Sequence, residues 1–261
     1  MSPAPTGAVM ITGGAKRVGA AITRRFARAG WPCVIHYRSS KAPAQALQAE
    51  IQQAGGVASL VDFNLADPAS LGPGLDAAFA AQPDLSVLVN SASLFAYDTA
   101  AAPSRVCWSV AMTVNALAPV LLASGFAARL GAQVADACVI NLLDQKLRNP
   151  NPDYFSYTIS KAALAAASDI MARAYAPRLR IANVAPGLML PSGDQTQAEY
   201  ERASRMNALG RQTSVEELAE GVFFLATNAA ITGQTLFIDS GQSLTPQGRD
   251  VMFLVRQPDG G

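Results

Sequence analysis

The chain has 261 residues, half of them hydrophobic and only 15% charged, with a formal net charge of +1. That much apolar mass can bury a substantial core and excludes disorder over most of the length. The near-neutral balance excludes the concentrated basic excess of a nucleic-acid binder.

In chain order, short β-branched runs alternate with longer Ala-rich amphipathic stretches. Strands are predicted at 8–12, 32–37, 57–63, 86–90, 136–143, 179–186 and 234–239. Helices are predicted at 17–30, 42–54, 68–82, 104–130, 154–176 and 214–227. Continuously apolar strands are buried on both faces, as in parallel sheets. Strict strand–helix alternation implies a single α/β domain, a Rossmann-type doubly wound parallel sheet of about seven strands with helices on both faces. Its core spans about 7–244. Two segments break the alternation. Residues 187–213 form a long insertion of the kind that covers substrates. Residues 245–261 form a tail whose VMFLV (251–255) is apolar and β-prone, expected to pack on the domain or on a partner subunit.

The lone histidine, His36, leaves little for a zinc site or a Ser-His-Asp triad, and no metal is expected. Cys33, Cys107 and Cys138 are odd in number and far apart, which reads as buried, reduced thiols. Residues 1–7 lack the basic start of a secretory signal, and no run of about 18 apolar residues predicts a membrane span. The expectation is a cytoplasmic protein with a small-molecule substrate and no nucleic-acid or membrane partner.

The first strand runs into Thr12-Gly13-Gly14-Ala15-Lys16-Arg17-Val18-Gly19 and then a helix. Gly13 permits a tight turn, and Gly19 lets backbone approach a pyrophosphate at the helix N-terminus. After the second strand comes His36-Tyr37-Arg38-Ser39-Ser40-Lys41, without the acid that would bind ribose hydroxyls. Arg38 can bond a 2′-phosphate bidentately, the serines can donate hydroxyls, and Lys16 adds charge nearby, so the expected cofactor is NADP(H).

Tyr157 and Lys161 stand at i and i+4, on one face of a helix. An ammonium near a phenol is expected to lower the phenol's pKa and make it useful in proton transfer. With TGGAKRVG (12–19), Asp62, NSAS (90–93), Asn115, Pro186-Gly187 and ITGQTLFIDSGQSL (231–244), this resembles the short-chain dehydrogenase/reductase family over about 7–244. The resemblance implies that Asn115 anchors a water in a proton relay and that Lys161 also binds the nicotinamide ribose. It implies that Asp62 bonds the adenine amine, and that Asn90, Ser91 and Ala92 line the cofactor groove. Pro186 and Gly187 would contact the nicotinamide, and Gly13, Lys16, Arg17, Val18, Gly19, His36, Tyr37, Arg38 and Ser39 would surround the phosphates. It also implies a homotetramer built on the helices 104–130 and 154–176.

Three positions depart from the common pattern. Asp144 stands where most of the family has a serine, thirteen residues before the tyrosine. A carboxylate cannot donate to a carbonyl oxygen unless protonated, so it suits a substrate rich in N–H donors. Arg17 replaces a usual glycine, and Phe95 follows the fourth strand, placed to stack on a flat ring. Together these departures resemble the pteridine reductases, including the dihydromonapterin reductases. That implies a pterin held by Arg17, Ser93, Phe95, Asp144 and Tyr157. The alternatives are a carbonyl reductase of the same family and a non-enzymatic NADP-binding regulator.

Overall fold

The computed structural model describes residues 7–132, 134 and 136–256. Seven parallel strands form one sheet: β1 (Ala8–Ile11), β2 (Cys33–Tyr37), β3 (Ala58–Asp62), β4 (Leu85–Asn90), β5 (Ala137–Leu142), β6 (Leu179–Pro186) and β7 (Thr235–Ile238). Their order is β3-β2-β1-β4-β5-β6-β7. The chain reverses its direction of winding between β1 and β4. Such a switch point opens a crevice beyond the carboxyl ends of the strands, where ligands of open α/β sheets bind.

Strands β1, β4 and β5 are buried along their whole length because helices cover both faces. One face carries α1 (Arg17–Arg28) and α8 (Val215–Thr227), packed through Ile22, Phe26, Leu218 and Phe223. Phe26 meets Trp31 and Phe223 edge to face, at 5.5 and 5.1 Å between ring centres. The other face carries α3 (Pro68–Ala81), α5 (Ala118–Arg129) and α6 (Phe155–Tyr175), around Leu75, Leu88, Leu122 and Phe126. Burial of each such side chain contributes about 1.5–3 kcal/mol. α2 (Lys41–Gln53) closes the β2–β3 end through Leu47 and Ile51. Local signals agree with the packing. Ser214 and Glu217 form a reciprocal capping box at the start of α8, at 3.1 and 2.8 Å.

Three expectations are corrected. The long helix over 104–130 is α4 (Arg105–Ala111), a π-helical segment (Met112–Leu117), and α5. Hydrophobic periodicity runs on through a π segment and does not reveal it. The apolar tail segment is a helical turn, α9 (Val251–Leu254), because the Asp250 side chain caps it by accepting from the Met252 N–H at 3.1 Å. Cys107 is only partly buried, since it lies near the amino end of α4, whereas Cys33 and Cys138 sit inside the sheet. The run Arg105–Arg129 does have the length and mean hydropathy (1.8) of a membrane span. Its contacts with α3 and α6 place it as a covering helix of the sheet.

In the insertion, α7 (Gln197–Ala203) is capped by Thr196 and Glu199. The tail crosses back toward it. Arg256 pairs with Glu199 and Asp194, so tail and insertion are held together on one side of the crevice.

Candidate active site

The groove at the switch point is built mainly of backbone. Gly13 has φ +63°, and a Cβ there would meet Ala92 at 3.1 Å. At Gly19 a Cβ would lie 2.2 Å from the Gly13 carbonyl oxygen, so only glycine lets the first turn of α1 sit this close to the loop. Thr12 Oγ1 accepts the Ser91 and Ala92 N–H groups at 3.0 and 3.1 Å, tying the end of β1 to the end of β4. His36 lies beneath. Its Nδ1 accepts the Gly13 N–H at 3.1 Å, and its Nε2 is 3.1 Å from the Phe63 carbonyl. Nε2 therefore carries the proton, and burial lowers the imidazole's pKa to about 4. With both nitrogens engaged by protein, His36 braces the turn and has no polar contact left to offer a cofactor.

Arg38 reaches this groove, which Gly13, Ala92, Ser93 and Leu94 also line. Its far end is lined by Asn64, Leu65 and Ala66. Asp62 stands just before them, at the exposed end of β3. Tyr37 packs instead against the Ala15–Ile35 core, and Lys16 and Ser39 are exposed at the rim. Asn90 is buried and donates to Asn141 Oδ1 at 2.8 Å, and its own Oδ1 has no partner among the described residues.

A second cleft of about 270 Å³ opens beside the groove. Arg17, Val18, Ser93, Phe95, Asp144, Tyr157, Pro186 and Gly187, all anticipated from sequence, line it. Arg17 adopts φ +50° and donates to the Pro191 carbonyl at 2.9 Å, which joins the cofactor turn to the insertion. Phe95 is 42% exposed; its ring stacks on Tyr154 at 3.9 Å and meets Tyr157 edge-on at 4.7 Å.

At the centre, Tyr157 Oη donates to Asp144 Oδ2 at 2.8 Å. The other carboxylate oxygen accepts the Lys146 N–H at 2.9 Å, capping the short turn that leaves β5. Burial raises the Asp144 carboxyl's pKa, against the pull of Lys146 and Lys161. The Tyr157 phenol moves well above its ordinary value, by burial first and then by the facing Asp144 charge. This reverses the expectation of a lowered phenol pKa. Lys161 Nζ stands 5.7 Å from the centre of the phenol ring and spends a hydrogen bond on the Leu142 carbonyl at 2.7 Å. Burial lowers its own pKa to about 8. Both groups are shifted toward holding their protons, a bias suited to proton donation.

Asn115 lies on the π segment, and its side chain makes three hydrogen bonds. Its Oδ1 accepts the Leu94 N–H at 2.8 Å, while Nδ2 donates to the Leu94 carbonyl at 2.9 Å and to Ser160 Oγ at 3.1 Å. It fixes the loop that carries Ser93 and Phe95 against α6.

Sequence reasoning did not single out Gln145, Lys146, Gln195, Asp250, Val251 and Met252, which also line the cleft. Lys146 is buried and paired with Asp250 at 2.8 Å. Asp153 accepts from Arg249 at 2.7 and 2.8 Å and from the Asp250 N–H at 2.8 Å. These bonds draw the tail over the site. The prior signs were the apolar tail, expected to pack on the domain, and the long insertion at 187–213.

Comparison with known proteins agrees with this geometry. A family model described as enoyl-(acyl carrier protein) reductase matches residues 13–243. The chain is 30% identical to 3beta-hydroxysteroid dehydrogenase 1 of Eggerthella lenta, over 91% of this chain and 94% of that protein. It is 26% identical to dihydromonapterin reductase of Shigella sonnei, over 90% of this chain and 96% of the relative. Among solved structures, FolM alternative dihydrofolate reductase 1 from Brucella canis, complexed with NADP, superposes with a TM-score of 0.85. Its identity is 34%, over 91% of this chain and 94% of that one. The doubly wound sheet, the glycine turn and the Tyr157–Lys161 pair therefore have one common explanation: the chain belongs to the short-chain dehydrogenase/reductase family.

Proposed function

We propose that this chain is an NADPH-dependent reductase of pteridines, acting on dihydropterins. The observation that carries the reading is the 2.8 Å bond between Tyr157 and Asp144, in a cleft shared with Arg17, Ser93 and Phe95. Ordinary carbonyl reduction wants a neutral hydroxyl donor at position 144. A carboxyl that holds its proton suits delivery to a ring nitrogen. The dihydromonapterin reductase and alternative dihydrofolate reductase relatives support the same substrate class.

The residues fit the dinucleotide. The cradle at Gly13 and Gly19 would be filled by any Cβ, and the buried Asn90 Oδ1 lacks a partner among the described residues. Gly13, Val18 and Gly19 would hold the pyrophosphate, with Arg38, Ser39 and Lys16 at the 2′-phosphate. Asn90, Ser91 and Ala92 would line the middle, and Lys161, Pro186 and Gly187 the nicotinamide end. Bound NADPH supplies the hydride. The chain's own part is to hold the substrate ring against Phe95, exclude water with the insertion and tail, and keep a proton on the Tyr157–Asp144 pair for the substrate nitrogen.

A second reading has its own observation. Leu188, Met189, Leu190, Val251 and Met252 make one side of the cleft apolar, and a hydroxysteroid dehydrogenase is among the relatives. That would suit a bulky carbonyl compound. Assay of the purified protein with NADPH against dihydropterins and ketones separates the two. Turnover of ketones alone rejects the pteridine reading.

We also propose a cytoplasmic homotetramer. Val106, Trp108, Leu117, Leu121 and Ile170 leave an apolar face exposed on α4–α6, which a second copy would cover. Sedimentation as a monomer would remove that part.

A further inference from the structure

The tail docks on the stretch of chain that joins Asp144 to Tyr157. Asn149 Nδ2 donates to the Thr245 carbonyl at 2.7 Å, and the Gln247 N–H donates to Asn149 Oδ1 at 3.3 Å. Arg249 and the Asp250 N–H both bind the Asp153 carboxylate. Asp250 Oδ2 pairs with Lys146 Nζ at 2.8 Å. Lys146, Asn149 and Asp153 all lie between Asp144 and Tyr157 in the chain.

Lys146 serves two carboxyl groups with two different nitrogens. Its backbone N–H donates to Asp144 Oδ1 at 2.9 Å. Its ammonium goes instead to Asp250, to Asn151 Oδ1 at 2.9 Å and to the Asp153 carbonyl at 3.4 Å. The Lys146 and Asp250 side chains are only 4% and 13% exposed, so water screens their charges little. Asp144 Oδ2 is left to the Tyr157 hydroxyl. The other titratable and charged groups around this cluster are Lys161 on α6, Tyr154 at its start, Tyr97 on the loop after β4, Asp153, Arg249, and Arg17 on the cleft wall. Burial raises the Asp144 carboxyl's pKa while Lys146 pulls it down. Burial also raises the Tyr157 phenol's, and the charges of Asp144 and Asp250 add to that. A paired Lys146 therefore favours a proton on both groups, and an unpaired one works against it.

We infer that Asp250 is a positioning residue for the proton-donating pair: by holding the Lys146 ammonium it keeps that cation off Asp144 and leaves the carboxyl bonded to Tyr157. The inference rests on the proposed role of the Tyr157–Asp144 pair as proton source, though not on which substrate receives the proton. Docking of the tail and readiness of the proton are then coupled. With Asp250 away, Lys146 pairs with Asp144 two residues back and stabilises the carboxylate, which has no proton to give. The segment that walls the substrate cleft through Val251 and Met252 thereby also sets the charge of the site.

The test uses Asp250→Asn, which keeps the side chain's shape and removes its charge, and Lys146→Met, which removes the cation. Protonation of Asp144 is followed against pH by infrared spectroscopy of its carboxylic acid C=O band, assigned by loss of the band in Asp144→Asn. We expect Asp250→Asn to lower the Asp144 midpoint by about one pH unit and Lys146→Met to raise it by about as much, because opposite charges have been removed. Pterin turnover in Asp250→Asn should begin to fall at a pH about one unit below that of the parent, with kcat on the acid side and NADPH affinity within about twofold. An unmoved midpoint in Asp250→Asn overturns the inference even where the melting temperature drops, since the pair would then serve the fold alone. Shifts of the same sign in the two variants overturn it too, as does a parent that shows no Asp144 acid band. If Lys146→Met does not fold, Asp250→Asn decides by itself. If the midpoints move as expected but the parent reduces only ketones, the inference stands and the pteridine reading falls. If the parent reduces pterins and the midpoints stay, the reverse holds.

Discussion

The two cavities of this protein are built in different ways. The cofactor groove is made of backbone from contiguous motifs: one glycine turn, one strand end, one histidine brace. The substrate cleft is made of side chains that arrive from many places, among them the turn at Arg17, the loop at Ser93–Phe95, the β5 exit at Asp144–Lys146, Tyr157 on α6, the insertion and the tail. A backbone-built site tolerates almost no change at a few positions. A side-chain-built site can be retuned piece by piece while the fold stands.

The largest expected effect follows on the groove side. Gly19→Val would drive a side chain into the Gly13 carbonyl, already 2.2 Å from where the first carbon would sit. We predict roughly 1–3 kcal/mol of lost stability and loss of NADPH binding by isothermal titration. Met252→Ala, an equally drastic change in the cleft, should leave NADPH affinity untouched. Equal effects from both would erase the contrast between the cavities.

A smaller effect is expected at the rim of the groove. Arg38→Leu removes the charged group offered to the 2′-phosphate. Hydrogen bonds to charged groups contribute about 1.5–3 kcal/mol, so the preference for NADPH over NADH in kcat/KM should fall by about 10- to 100-fold. An unchanged ratio would show that Arg38 faces solvent in the complex.

The mildest test is pH. Lys161 titrates near 8 because burial disfavours its charge. Its ammonium is present below that value and lost above it. If the ammonium supports the phenol and the cofactor, kcat/KM should fall about tenfold per unit above pH 8. A flat profile to pH 9.5 would show that Lys161 works only as a packing group.

Much of this was legible in the sequence, for reasons that particular residues make plain. Strand and helix order follows from apolar runs and from caps such as Ser214. Asp144 was found because it sits at a fixed spacing from Tyr157, and thirteen residues span one strand exit and one helix entry. The rest was hidden for physical reasons. Gln195 lies in an insertion without periodicity, and only tertiary contact puts it near Asp144. The tail's β-branched residues suggested a strand, but a side-chain cap and the buried Lys146–Asp250 pair made it a helical turn over the site. The i, i+4 spacing put Lys161 beside Tyr157, yet the phenol's titration is set by burial and by Asp144.

The Tyr157–Asp144 bond is the part on which everything else depends. The direct test is steady-state kinetics of Asp144→Ser on a dihydropterin and on a simple ketone, with NADPH affinity measured in parallel. General acid–base assistance is worth about 10²–10⁴-fold, so pterin kcat should fall by at least about 100-fold. Ketone reduction should hold or rise, and NADPH affinity should stay within twofold. A pterin rate within threefold of the parent would contradict the assignment of the carboxyl as the proton source.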